Sequence, residues 1–252
     1  EIKAVLSNFD EYIYLDATNG NDSTGDGTIT SPYKTLSALS NVVTTGKSYG
    51  IVLEDGTYDL PESVFTLNND KSINLIGNKE NTKLSVGSLF ANSGGGSTNY
   101  TVGFYRLVWN GTSNASNTIL VNTRLEFNNV AFKMNFTSAS YSYFISGTKG
   151  YSFTNCSLTP YVSSLIRCSA NGIKLTNCYG GYSSGYSTTD SYWNYQTNYI
   201  TTSPNMDSKY NILDDESVWK GVGTGINPDG TTANIGVYGG TYSWEFEDNI
   251  FN

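Results

Sequence analysis

Four basic residues in the middle of the chain, Arg106, Arg124, Arg167 and Lys174, could serve as proton-abstracting bases, and Glu126 is the one carboxylate between residues 81 and 189. A Lys or Arg base aided by a tyrosine phenol suits proton transfer at an activated carbon. Hydrolysis of a glycosidic bond normally needs two carboxyl groups flanking one bond, which this region lacks. Histidine, the usual acid/base group and metal ligand, is absent from the chain. Arg106 and Arg124 lie in or beside short alternating segments, where the structural reading is a solvated exterior face. The sequence therefore leans away from an enzyme, and no catalytic residue is assigned.

Two other groups could bind rather than react. In "NDSTGDG", residues 21–27, Asp22, Thr24 and Asp26 stand at alternate positions before Gly27. That order matches the first half of a calcium loop, although Tyr33 stands where the distal Glu is expected. An Asx-rich turn is the competing reading. No cofactor is required, and calcium is the one metal the pattern accommodates. Asp214, Asp215 and Glu216 form a second acidic group that reads as a solvated turn. The stretch 178–200 sets Tyr182, Tyr186, Tyr192, Trp193, Tyr195 and Tyr199 among Gly, Ser and Thr. Its apolar periodicity is poor, so it reads as a long excursion from a regular scaffold. Exposed rings there would suit the C–H faces and hydroxyls of sugars, and a self-packed loop is the alternative.

The elements that must position these groups are written into a repeat. "YSFTNCSL" (151–158) and "GIKLTNCYG" (172–180) share one phrase, and "RLEFNNVAF" (124–132) is a third copy. Phe127 aligns with Phe153 and Leu175. Asn129, Asn155 and Asn177 are spaced 26 and 22 residues apart. "GFYRLVWNG" is a degenerate copy with Arg106 in the Asn place, and "SINLIGNKENTKLS" another with Gly77 there. A period in the twenties with about five alternating residues per copy predicts a stacked β-coil. Asn tolerates the left-handed backbone of a sharp bend, and stacked Asn side chains could hydrogen-bond along their column. Cys156 and Cys178 sit at one repeat position, where the earlier copy has Val130. They read as small buried apolar groups, with a disulfide between them left open. Together with Cys168 they make no zinc site.

The ends differ from the middle. Ser31 and Pro32 predict the start of a short helix in which Tyr33, Leu36 and Leu39 share a face, suited to cap the open end of a solenoid. The expected fold is all-β, a right-handed parallel β-helix with a short N-terminal capping helix, forming a single domain over 1–252. Within it, 1–60 forms the cap and first coil, 61–180 the central coils, 181–210 a long aromatic loop and 211–252 a closing coil. Trp109 is expected in core or edge packing, and Trp219 and Trp244 as covers of the core's far end.

Composition fits that expectation. Charged residues are 14% of the 252 residues while aromatics are another 14%, a polar-coated β protein rather than a disordered one. The net charge of −8 argues against a nucleic-acid partner, and no window of about 20 apolar residues is present for membrane insertion. The opening "EIKAVLSNFDEYIYL" lacks the regions of a signal peptide and reads like the interior of a longer or processed precursor.

The run Asp16, Gly20, Asp22, Gly25, Asp26, Gly27, Pro32, Tyr33, Lys34, Thr35, followed by "GTY" at 56–58, resembles the opening of secreted parallel β-helix proteins of the pectate-lyase-like superfamily. The ending Asp229, Gly230, Asn234, Ile235, Gly236, Tyr238, Gly239, Gly240 resembles the final coil of such proteins, including adhesin-like surface proteins of methanogenic archaea and Gram-positive bacteria. The resemblance implies an extracellular or cell-surface location. It also implies a non-catalytic adhesin-like module whose partner is a polysaccharide or cell-surface glycan. A lyase acting on uronate polymers, or a purely structural stalk or spike, are the alternatives it carries. Lyases of this superfamily hold Ca²⁺ on several carboxylates from the central coils, where this chain offers only Glu126.

Overall fold

A computed structural model describes residues 9–67, 71–86, 90–91, 100–113, 119–120, 123–136, 145–147, 150–158, 166–168, 173–180, 193–197, 200 and 204–245. Among these residues the strands form three parallel sheets, and the chain visits the sheets in turn as it winds. The fold is the expected parallel β-solenoid. The first sheet stacks Glu11–Leu15, Ser48–Leu53, Ser72–Ile76, Thr101–Tyr105, Arg124–Asn128, Tyr151–Thr154, Ile173–Thr176 and Trp193–Thr197. The second stacks Gly56–Asp59, Thr82–Val86, Val108–Ser113, Ala131–Phe136, Ser157–Leu158 and Tyr179–Gly180. The third joins Phe90–Ala91, Ile119–Leu120, Ile145–Gly147 and Ile166–Cys168.

Register follows the repeat. Phe127 pairs with Phe104, Phe153 pairs with Phe127, and Leu175 pairs with Phe153. Identical positions therefore stack in the core, where the Phe104–Phe127 and Phe127–Phe153 ring centroids are 5.0 and 4.7 Å apart with nearly parallel planes. Those separations match the parallel strand step of about 4.8 Å. Trp109 is fully buried beside them, 5.4 Å from Phe127.

The repeated phrase marks the corner between the first and second sheets. Asn129, Asn155 and Asn177 all have φ of 51°, and Arg106 has φ of 52°. In the copy before them the left-handed residue is Lys79, with φ of 57°, two residues beyond Gly77. The corner keeps the interstrand ladder: Lys79 N–H donates to Arg106 O, Arg106 N–H to Asn128 O, Asn129 N–H to Thr154 O and Asn155 N–H to Thr176 O. The residue after each of Arg106, Asn129, Asn155 and Asn177 turns inward, so Leu107, Val130, Cys156 and Cys178 are all fully buried. "Asn-Cys" is thus a corner and a core position in two letters.

Both of these cysteines are free thiols. Each thiol lies against carbonyls, Cys156 Sγ on Phe127 O and Thr154 O and Cys178 Sγ on Phe153 O and Thr176 O. Burial, with neighbouring Cys178, pushes the Cys156 thiol well up. Because the thiolate is the reactive form, Cys156 and Cys178 should stay unmodified by a thiol reagent in native protein and react on addition of denaturant. Labelling mapped by peptide mass spectrometry checks this.

The N-terminal cover is helical, but it starts later than Ser31. A 3₁₀ turn over Leu36–Ala38 runs into the helical turn Leu39–Val42. Ser31 to Tyr33 stay outside the helix because Tyr33 N–H donates to Tyr14 O and Asp16 N–H to Tyr33 O, pairing the loop with the edge strand. Leu36 and Leu39 are fully buried in the main core and Tyr33 packs against it, so the expected face holds.

Residues 204–245 do not form another coil among the three sheets. They run along the corner column as a strap. Gly236 N–H donates to Asn177 O, Val237 N–H to Ser157 Oγ, and Trp244 Nε1 to Asn129 O. Trp244 is buried with Val108, Ala131, Tyr210 and Val237, and Trp219 with Tyr179 and Ile235. These two tryptophans anchor the strap to the flank instead of closing the end of the main core.

Candidate functional site

The asparagine column does not bond to itself. Asn129 Nδ2 donates to Val237 O and Gly239 O, at 2.9 and 2.7 Å. Asn177 pairs in both directions with the backbone of Thr224, donating to its O and accepting from its N–H, each at 2.8 Å. Asn155 is enclosed under Gly240, where an added Cβ would lie 2.2 Å from Asn155 Nδ2. Side chains freed by left-handed geometry thus grip the strap rather than one another.

Arg106 occupies the same corner position and is buried, contrary to the solvated exterior expected of it. It is therefore withdrawn from solvent as a base. Arg124 and Lys174 are exposed, as an exterior reading requires. Arg167 lies in the strand Ile166–Cys168 of the third sheet.

The acidic N-terminal loop spends its carboxylates on backbone. Asp22 Oδ1 accepts from Lys34 N–H and Thr35 N–H, and its Oδ2 from the Thr35 hydroxyl. Asp26 Oδ1 accepts from the N–H and hydroxyl of Thr28, and Thr24 N–H donates to Asn21 Oδ1. The Asp26 and Asn21 contacts are local Asx-type turns, whereas Asp22 braces its loop against Lys34 and Thr35, 12 and 13 residues along the chain. Among the described residues no three His, Cys, Asp or Glu side chains converge as metal ligands would. In the second acidic group, Asp214 accepts from the Tyr179 hydroxyl at 2.6 Å while Asp215 caps the helical turn Glu216–Trp219.

For Asp22, burial works against ionisation, but the hydrogen bonds from Thr35 and Lys34 outweigh it and hold the carboxyl below its usual range. A folded value below the unfolded one of about 3.9 means that the stabilisation is complete above that pH and is lost as pH falls through the folded value. The thermal midpoint should therefore drop as pH falls below about 4. Asp22→Asn should lower the midpoint at pH 7 and flatten that acid limb, as a calorimetric pH series would show.

Of the aromatic stretch, Tyr182, Tyr186, Tyr192 and Tyr199 lie outside the described residues. Trp193 and Tyr195 fall in Trp193–Thr197, the last strand of the first sheet. A register shift follows Ile173, so Trp193 pairs with Ile173 while Tyr195 pairs with Lys174. The irregularity breaks the period-2 pattern, which is why the strand is hard to read as one.

A different aromatic group is assembled where strap and first sheet meet. Glu126 pairs with Gly103 across two strands. The Tyr105 ring leans over Gly103, where an added Cβ would lie 2.6 Å from Tyr105 Cε2. Tyr242, delivered by the strap, meets Tyr105 edge-on with centroids 5.2 Å apart and planes at 67°. Burial, then the nearby Glu126 charge, raises both phenols above the ordinary tyrosine range, so they stay neutral hydroxyls. Ser152 and Lys174 continue the Glu126 row, one register position per strand. Sequence reading missed this group: Tyr105 and Tyr242 are two of twenty tyrosines, 137 residues apart.

Comparison with known protein families, with curated proteins and with solved structures finds no match.

Proposed function

We propose that the chain is a non-catalytic, adhesin-like module of an extracellular surface protein, and that it binds polysaccharide on the outer face of the first sheet. The observation that carries this reading is the half-buried Tyr105–Tyr242 pair beside Glu126. It offers flat apolar rings and polar tips on a face built at a regular interstrand step. Sugar rings present matching C–H faces and hydroxyls, and an extended polymer can follow a row of equivalent positions. The solenoid shape and the resemblance of both chain ends to pectate-lyase-like β-helices agree with this assignment.

The test is a glycan array probed with labelled protein, with calcium and again with chelator. Binding to one polysaccharide class, lost in Tyr105→Ala and Tyr242→Ala, is the expected result. Loss in Trp193→Ala and Tyr195→Ala instead would move the site to the last strand. Silence across plant, host and microbial glycans would overturn the reading and favour a structural stalk. Incubation with uronate polymers, followed by ultraviolet absorbance of unsaturated products, tests the lyase alternative; product formation would overturn the non-catalytic assignment.

A further inference from the structure

The Tyr105–Tyr242–Glu126 group carries a more specific expectation, which rests on the carbohydrate reading above. We infer that it is a subsite for a cationic amino sugar, a hexosamine whose amine is free rather than acylated. The floor is Gly103, and Asn74 Oδ1 and the Tyr105 ring occupy the space that a side chain there would fill. The two rings form an L-shaped wall, at 67° to one another. Glu126 is half-buried beside them, and among the described residues the three ion pairs involve other carboxylates. No hydrogen bond of a described residue engages its carboxylate or either phenol.

A carboxylate in no ion pair with a described residue leaves its charge available to a cationic ligand. An ammonium placed there gains a charge-assisted hydrogen bond to Glu126 and attraction to the faces of the rings. The remainder of the sugar ring can lie against Tyr105 or Tyr242 while the neutral phenols hydrogen-bond its hydroxyls. An N-acetylated sugar keeps the ring contact and loses the charge. A uronate meets Glu126 and a chain of net charge −8 with like charge. Arg124, two residues before Glu126 on the same strand, is exposed and forms no ion pair with it. Its alternating position leaves it about 7 Å along the strand.

Calorimetric titration of the intact chain separates the outcomes, with fully deacetylated glucosamine oligomers, their fully acetylated counterparts and oligogalacturonate as probes. The measurement is made at a pH where the amines are protonated. Glucosamine oligomers should bind at least about tenfold more tightly than acetylated ones, a discrimination of about 1.4 kcal/mol. Glu126→Gln should erase that ratio while sparing binding of the acetylated oligomer. Glu62→Gln removes the same charge from an exposed turn and should leave the ratio intact, which sets site binding apart from general attraction of a polycation. Equal binding of both oligomers, a ratio that Glu126→Gln does not change, or an equal response to Glu62→Gln would overturn the amino-sugar inference alone. Absence of binding to every oligosaccharide would overturn the carbohydrate reading itself.

Discussion

Replacing Phe127 by Ala is expected to lower the free energy of unfolding by about 3–5 kcal/mol. Phe127 stacks on Phe104 from one coil and on Phe153 from the next, with Trp109 and Phe132 edge-on at 5.4 and 5.2 Å. It is fully buried, so truncation removes a ring from the middle of a column and leaves a cavity that the neighbours cannot fill. In a solenoid each coil contacts chiefly the coils beside it, so the lost contacts belong to both interfaces at once. A urea titration followed by tryptophan fluorescence measures the loss, and Trp109 reports from the site itself. A loss under about 1 kcal/mol would mean that the column repacks, against the close packing argued here.

The stack itself was legible because parallel coils translate a sequence repeat into vertical contact. Asn129, Asn155 and Asn177 recur at one place, and their φ values are equal to the degree. That equality is what a repeated letter at a repeated bend predicts. The strap was not legible, and the reason is range. The partners of Asn129 lie 108 and 110 residues away, and those contacts are to backbone carbonyls, which any residue could supply. Nothing in "NIGVYGGTYSW" distinguishes a strand of a closing coil from a segment lying across corners. Arg106 illustrates the same gap: its charge predicted solvent, but its place in the column put it at a buried corner.

The candidate site inherits this limit. Glu126 could be singled out as the isolated central carboxylate, and its row partners Ser152 and Lys174 follow from the repeat register. Tyr242 could not, because only the strap brings it to Tyr105. The proposed binding face would thus be built half from local repeat and half from long-range docking. Any change that loosens the strap should weaken ligand binding without touching the ligand.

Asn129 is where that coupling is most directly tested. Asn129→Ala forces a Cβ-bearing residue with no local polar compensation into φ of 51°, at about 1–2 kcal/mol. It also removes the donor to Gly239 O and one of two donors to Val237 O, which keeps the Trp244 N–H, and an unsatisfied buried group costs about 1–3 kcal/mol. The expected total is a loss of about 2–5 kcal/mol in unfolding free energy. Asn129→Gly relieves the backbone cost and keeps the lost hydrogen bonds, so it should recover about 1 kcal/mol relative to Ala. Asn129→Asp fits the left-handed corner but faces two carbonyl oxygens with a buried carboxylate, and should be the most damaging of the three. Denaturant titration ranks the variants. Limited proteolysis shows whether the strap is what gives way: early cleavage within 224–245 in Ala and Asp variants, with the coils intact, is the expected pattern. The same ranking in oligosaccharide affinity would follow from release of Tyr242. Equal stability of the Ala and Gly variants would instead mean that the left-handed corner contributes nothing, and the energetic reading of the repeated phrase would have to be abandoned.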